Sequence, residues 1–279
     1  MYKKICRAIL MAVMVLAIAG LSFPVGVKAA TKNYDNTHVL KWDINGDGKN
    51  DTIKFVPKSA DYWSKENLTV WINGKKVLSL NDNFYDYSYK KLELKNGKRF
   101  LAIWLSWDNG DGPVAVYSYK GGKLKKVTDF SDVKGWRWID NIKTKNNQLI
   151  VRMSDSGGSG LGHYDFRTIY DYNKGKFILH SRTHAILAVY QFDESEGSAV
   201  NSRQLTTKHS LTLYSDKAGN EVKYEIPADE KVVITKSYIK GSEMMFYIKN
   251  SEYSGWVRPG DYSDNYSDDY MFYNIMGVA

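Results

Sequence analysis

Nine residues near the amino end carry the most specific chemistry in the chain: Asp43-Ile44-Asn45-Gly46-Asp47-Gly48-Lys49-Asn50-Asp51. Side-chain oxygens fall at the first, third, fifth and ninth places of this run, from Asp43, Asn45, Asp47 and Asp51, and a glycine stands at the sixth. Calcium takes about six to eight hard oxygen ligands, and alternate residues of a tight loop can converge on one ion. Gly48 permits the sharp turn, and the carbonyl of Lys49 is placed to add a further oxygen. The expected cofactor is therefore calcium, with Asp43, Asn45, Asp47 and Asp51 as its side-chain ligands. A metal-free turn is the competing reading, because Asn, Asp and Gly build turns without help.

An EF-hand would need a bidentate Glu at the twelfth place, and Lys54 stands there. Thr52-Ile53-Lys54-Phe55-Val56 alternates instead as a strand leaving the loop. A calcium-type loop running into a strand resembles the loops of FG-GAP/VCBS repeats, β-propeller modules of secreted and adhesive proteins. The resemblance is close over the loop and its strand and loose over the rest of residues 30–187. It implies the same four ligands. Trp107-Asp108-Asn109-Gly110-Asp111-Gly112 looks like a decayed copy, because Pro113-Val114-Ala115 follows where the last acid belongs.

No catalytic set emerges. Asp155-Ser156-Gly157-Gly158 is similar to the nucleophile loop of chymotrypsin-like proteases, which also need a histidine to take the serine proton. His38 lies too early for that family's order, and His163, His180 and His184 lie after the serine. The histidines show no metal-binding spacing such as H-E-x-x-H. A pair of glycosidase carboxylates is defined in space, so spacing along the chain cannot find it. Trp136 and Trp138, two apart, share one face of a strand. Exposed indoles there would stack on sugar rings, although tryptophan and tyrosine also fill β cores.

The elements that position these residues are strands. Leu68, Val70 and Ile72 alternate with Thr69 and Trp71. Asn73-Gly74 and Asn96-Gly97 are strong hairpin signals, and further turns are expected at Gly121-Gly122, Asn146-Asn147 and Lys174-Gly175. Val116-Tyr117-Ser118-Tyr119-Lys120-Gly121-Gly122-Lys123-Leu124 matches Ile169-Tyr170-Asp171-Tyr172-Asn173-Lys174-Gly175-Lys176-Phe177, and Val70 to Val77 is a looser third copy. Repeated units of this kind predict an antiparallel β-repeat or meander with blade-like sheets.

Residues 1–29 read as a cleavable signal peptide. Lys3, Lys4 and Arg7 precede an apolar run from Ala8 to Phe23, and Val27-Lys28-Ala29 ends it. No later segment is apolar enough to span a membrane. Cys6 is the only cysteine and leaves with the signal, so disulfide chemistry is excluded from the mature chain. The formal charge is +8, and removal of Lys3, Lys4, Arg7 and Lys28 without any acid leaves +4. The remaining basic residues are scattered beside turns, and no nucleic-acid motif accompanies them.

After about Leu187 the composition turns polar, and residues 188–204 are expected to be a linker. Residues 205–279 then resemble a bacterial Src-homology-3 domain. Leu211-Thr212-Leu213-Tyr214-Ser215 matches its opening strand, Ile226 to Ile234 its proline-led segment, and Ser254-Gly255-Trp256-Val257 its closing G-W-V. Ala228-Asp229 stands where a glycine is common, and Phe246 replaces a tryptophan. The resemblance implies a small β-barrel, and Trp256 is expected to be largely buried in it. Met271-Phe272-Tyr273 is placed to dock back on the fold. The expectation is an all-β chain: a β-repeat domain at 30–187, then the Src-homology-3-like domain. Its function would be secreted, non-catalytic binding to a cell-wall polymer or an extracellular protein or glycan. A hydrolase acting on cell-wall glycan or peptide is the alternative.

Overall fold

The computed structural model describes residues 37–59, 64–107, 112–133, 137–155, 161–193, 198–241, 243–259 and 270–276. The signal segment, Trp136, Ser156 to Gly158 and most of the loop after Trp107 lie outside the described residues. The described chain is all-β and antiparallel, without a helix. No helix among the described residues is long and apolar enough to cross a membrane.

Three four-stranded meanders follow one another. The first is β1 (His38–Trp42), β2 (Asp51–Ser59), β3 (Lys65–Ile72) and β4 (Lys75–Phe84). The second is β5 (Asp86–Glu93), β6 (Arg99–Ser106), β7 (Val114–Lys120) and β8 (Lys123–Thr128). The third is β9 (Arg137–Lys145), β10 (Gln148–Asp155), β11 (Tyr164–Asn173) and β12 (Lys176–Leu179). The sequence repeat maps onto them strand for strand, since its three copies are the β3–β4, β7–β8 and β11–β12 hairpins. Each turns on two residues at positive φ: Asn73 and Gly74 at 49° and 78°, Gly121 and Gly122 at 62° and 71°, Lys174 and Gly175 at 46° and 89°. Such turns match the twist of the strands they join. The nine-residue acidic loop joins β1 to β2, whereas the Trp107–Gly112 segment falls between β6 and β7, so the two occupy different places in their meanders.

The second meander is buried on both faces. Leu101, Ile103, Leu105, Tyr117 and Leu124 pack with Ile53, Phe55, Leu68, Val70 and Ile72 of the first meander. Phe100, Ala102, Val114 and Val116 turn the other way, into a larger cluster with Ile142, Leu149, Val151, Phe166 and Tyr170 of the third. On the other face of the first meander Lys41, Thr52, Lys54, Ser79 and Val39 are exposed.

The third meander continues as a wider sheet through β13 (Thr183–Asp193) into β18 (Lys231–Lys240), β19 (Glu243–Lys249), β20 (Ser254–Val257), β16 (Leu211–Tyr214) and β17 (Val222–Ile226). Residues 188–204, expected as a linker, hold the end of β13 and all of β14 (Ser198–Ser202), which pairs back on β13. They also hold the first residue of β15 (Gln204–Thr206), which pairs with β18. Their polar composition reflects an exposed hairpin rather than unpaired chain; Leu205 beside them is buried. The larger cluster runs on through Leu213, Ile234, Phe246 and Val257. Met271 and Phe272 are buried, Phe272 bridging to Thr207 and Ile275 to Gln191, so the tail docks as its sequence predicts.

Trp256 is half-buried, while its neighbours Gly255 and Val257 face the core. A Cβ at Gly255 would lie 2.9 Å from the Tyr214 carbonyl oxygen, so β16 and β20 approach closely there.

Phe100 is buried between the second and third meanders, with Phe177 at 4.9 Å and Tyr172 at 5.2 Å between ring centroids. Phe100→Ala should destabilise the fold by about 3–5 kcal/mol. Urea unfolding of wild type and variant, followed by circular dichroism, checks this; a loss under about 1 kcal/mol would contradict burial at the joint.

Candidate functional site

Three polar or aromatic constellations stand out. The first is the acidic loop. Ile44 plugs into the core, and its N–H donates to Asp51 Oδ2 at 3.1 Å, closing the loop on its own ends. Asp43 Oδ1 accepts the N–H groups of Gly46 (2.7 Å) and Asp47 (3.1 Å), and Oδ2 accepts that of Gly48 (2.9 Å). Asn45 Oδ1 takes the Asp47 N–H and Asp47 Oδ1 the Lys49 N–H, both at 2.8 Å. Asp51 Oδ1 accepts from Asn73 Nδ2 at 2.7 Å, which ties the loop to the β3–β4 turn. Gly46 and Gly48 supply the positive φ, 83° and 85°, that the turns need.

A cation already touches this loop. Arg99, the first residue of β6, donates from Nη1 to the Asp43 carbonyl at 2.8 Å and pairs with Asp43 Oδ2 at 2.5 Å, while its Nε lies 3.4 Å from Glu93. Burial pushes the Asp43 carboxyl up, but the Arg99 hydrogen bond and the N–H groups of Gly48 and Gly46 outweigh it and hold the carboxyl below its usual range. The donor set is right for calcium. In the arrangement seen, Asp43, Asn45, Asp47 and Asp51 spend their oxygens on backbone N–H groups, Arg99 and Asn73. Among the described residues no three Asp, Glu, His or Cys side chains converge as a ligand set.

The second constellation was invisible in the sequence. On the outer face of the third meander, Trp138 pairs across with Ser154, and Ser154 with Asp165. A β-bulge between β9 and β10 inserts Asp140, which has no partner residue opposite it. A second bulge lies beside Asp165, where β13 carries Leu187 as its extra residue. The Ile139 carbonyl next to the first bulge accepts the Trp104 indole N–H at 3.1 Å. Bulges re-aim side chains, and these two gather Asp140, Arg152, Ser154, Asp165 and Tyr190. Ser154 Oγ lies 2.7 Å from Asp140 Oδ2 and 2.6 Å from Asp165 Oδ1. Arg152 donates from Nε (3.0 Å) and Nη2 to Asp165 Oδ2, and the Tyr190 hydroxyl donates to the same oxygen at 3.1 Å. His163 stacks on Tyr190 at 4.2 Å and meets Trp138 edge-on at 5.7 Å.

Ser154 has one hydroxyl proton and lies within hydrogen-bond distance of both carboxyl groups. Asp165 is fully buried and accepts from Arg152 and Tyr190. Asp140 is 36 % exposed. Burial pushes its carboxyl up and the Asp165 charge adds to that, against the pull of Ser154 and Arg152.

The third constellation crosses the C-terminal strands. Lys236 pairs with Tyr247, Tyr247 with Trp256, and Trp256 with Tyr214, so the four residues form one row on one face. Tyr247 and Trp256 meet at 5.3 Å between centroids, and Tyr238 stands 6.5 Å from Trp256. Lys236 lies 5.4 Å from the Tyr247 ring, Lys217 4.8 Å from Tyr238 and Arg258 5.9 Å from Tyr214. The rings are half-buried and the cations exposed.

Of the other residues weighed in the sequence, His180 pairs with Asp171 at 2.6 Å on the surface, and His184 is buried. Compared with known proteins, the chain matches no protein-family model, and no curated protein matches it.

The raised carboxyl of Asp140 has a pH signature. The folded state holds this proton more tightly than the unfolded state, so the group costs stability as pH rises above the ordinary Asp value of 3.8. Asp140→Asn removes that cost. Urea midpoints measured across pH should show the variant gaining on wild type from acid toward neutrality; a difference that does not change with pH would refute the raised carboxyl.

Proposed function

We propose that this protein is a secreted, non-catalytic binding protein of the cell envelope or extracellular matrix that attaches to cell-wall glycan or peptide. The observation that carries the reading is the row Tyr214–Trp256–Tyr247 with Lys217, Lys236 and Arg258 around it. Aromatic faces stack on sugar rings and apolar side chains, and the cations meet carboxylates or phosphates of a wall polymer. Three successive four-stranded meanders support blade-like repeats of the FG-GAP/VCBS kind. The strands from Leu211 to Val257, with G-W-V in β20, support a Src-homology-3-type module. The signal-like residues 1–29 support export. A glycosidase at the bulged cluster would need two reachable carboxylates, and Asp165 there is fully buried among its donors.

Incubation with insoluble peptidoglycan tests the reading. Wild type should pellet with the wall material and release no soluble fragments. Trp256→Ala should weaken retention by at least about tenfold, as loss of a central aromatic anchor does. Equal retention of wild type and variant, or release of soluble sugar or peptide, would overturn it.

Calcium belongs to the same proposal. Asp43, Asn45, Asp47 and Asp51 would hold the ion, whose charge would relieve the repulsion among the three carboxylates. Arg99 supplies a competing positive charge at Asp43. Calcium should therefore raise the melting temperature of wild type relative to chelator, Arg99→Ala should enlarge that rise, and Asp47→Ala should abolish it. Identical melting with calcium and with chelator in wild type and Arg99→Ala would leave the loop a turn held by arginine.

A further inference from the structure

The bulged face of the third meander has features that its fold does not require. Two bulges on neighbouring strand pairs interrupt the ladder at one place. The second meander braces that place through the Trp104 bond to Ile139 and through Lys90 Nζ, which donates to Asn141 Oδ1 at 2.8 Å. Asp165 and Ser154 form a buried floor, to which the half-buried Tyr190 is bonded through its hydroxyl. Above it, Asp140 and Arg152 reach the surface side by side, 36 % and 49 % exposed and 3.4 Å apart. The half-buried Trp138 ring lies on the same face. His163 Nε2 is buried there without a hydrogen-bond partner among the described residues.

We propose that this face is a second binding site, separate from the C-terminal aromatic row, for a neutral polyhydroxyl ligand of the glycan class held by Asp140 and Arg152 against Trp138. The exposed groups select the class. An acid and a guanidinium side by side give neither an anion nor a cation a net preference. Asp140 keeps Oδ1 as an acceptor, and Arg152 has donors left beyond those on Asp165. Vicinal hydroxyls of a sugar need such a mixture of donor and acceptor, and the C–H face of the ring packs on an indole. Ser154, 2.7 Å from Asp140 Oδ2 and 2.6 Å from Asp165 Oδ1, links the exposed acid to the buried one.

The site is tested with protein carrying 5-fluorotryptophan, titrated with chitotetraose as the neutral glycan probe and followed by fluorine NMR. Trp138→Phe assigns the Trp138 signal. A saturable shift of that signal is expected in wild type and equally in Trp256→Ala, which separates this site from the one proposed for wall attachment. Asp140→Asn keeps the acceptor oxygen and should bind within about threefold of wild type, whereas Asp140→Ala should bind about tenfold more weakly, as loss of one hydrogen bond to the ligand would produce. The Trp104 signal reports whether the bulge survives each substitution; where Asp140→Ala disturbs it, Trp138→Ala is the second variant, with the same loss read from the remaining signals. No shift of Trp138 in wild type up to the solubility of the sugar, or unchanged affinity in both alanine variants, would overturn the proposal.

Discussion

Strand β6 has water on neither side. Phe100 and Ala102 face the third meander while Leu101, Ile103 and Leu105 face the first, and all five are buried. Most strands of antiparallel sheets have a wet face, and a strand without one reads as a continuous apolar run, as Phe100 to Leu105 does. Each side chain buried this fully contributes about 1.5–3 kcal/mol, and β6 draws on both of its faces. The first and third meanders each bury an apolar face against the second. The outer face of the first meander mixes lysines, threonine and serine with Val39 and Trp71.

The same constraint locates the polar clusters. Inside the stack no charged group could be left unpaired, so the acids sit where the ladder ends or breaks: at the β1–β2 loop and at the two bulges. In both places the second meander reaches across to hold them. Arg99, at the start of β6, pins the loop through Asp43, and Trp104, near its end, pins the bulge through the Ile139 carbonyl. One buried strand thus fixes two surface features at its opposite ends.

Features that depend on neighbours along the chain were legible in the sequence. Asn73-Gly74 marks its turn because both residues take positive φ, and the repeat is readable because each third-and-fourth-strand hairpin needs the same inward residues around a two-residue turn. The oxygen pattern from Asp43 to Asp51 and the docking of Met271-Phe272 were legible for the same reason. What depends on register was not. Trp138, Ser154 and Asp165 lie on three strands, and the bulge that delivers Asp140 is one extra residue relative to a partner strand that no single segment reveals. The row Lys236–Tyr247–Trp256–Tyr214 draws on four strands, whose registers no single segment reveals. Polar composition misled at 188–204, since an exposed hairpin and a linker share the same residues.

Two arginines, Arg99 and Arg152, each stand between two acids, and the comparison shows why only one cluster has capacity left. Asp43 receives three backbone N–H groups and Arg99, which fills the four lone-pair positions of its carboxylate. A ligand there must displace something. Arg152 directs its two nearest donors to one oxygen of Asp165, and Tyr190 adds a third to the same atom. Asp140 is left with Ser154 at 2.7 Å and a long contact to Arg152, both on Oδ2, and no backbone N–H reaches it among the described residues. A bulge in a sheet offers fewer backbone donors than a nine-residue turn, because its neighbours keep theirs in the ladder. The acid in the loop is therefore saturated by its own chain, and the acid at the bulge keeps one oxygen for whatever approaches from solvent.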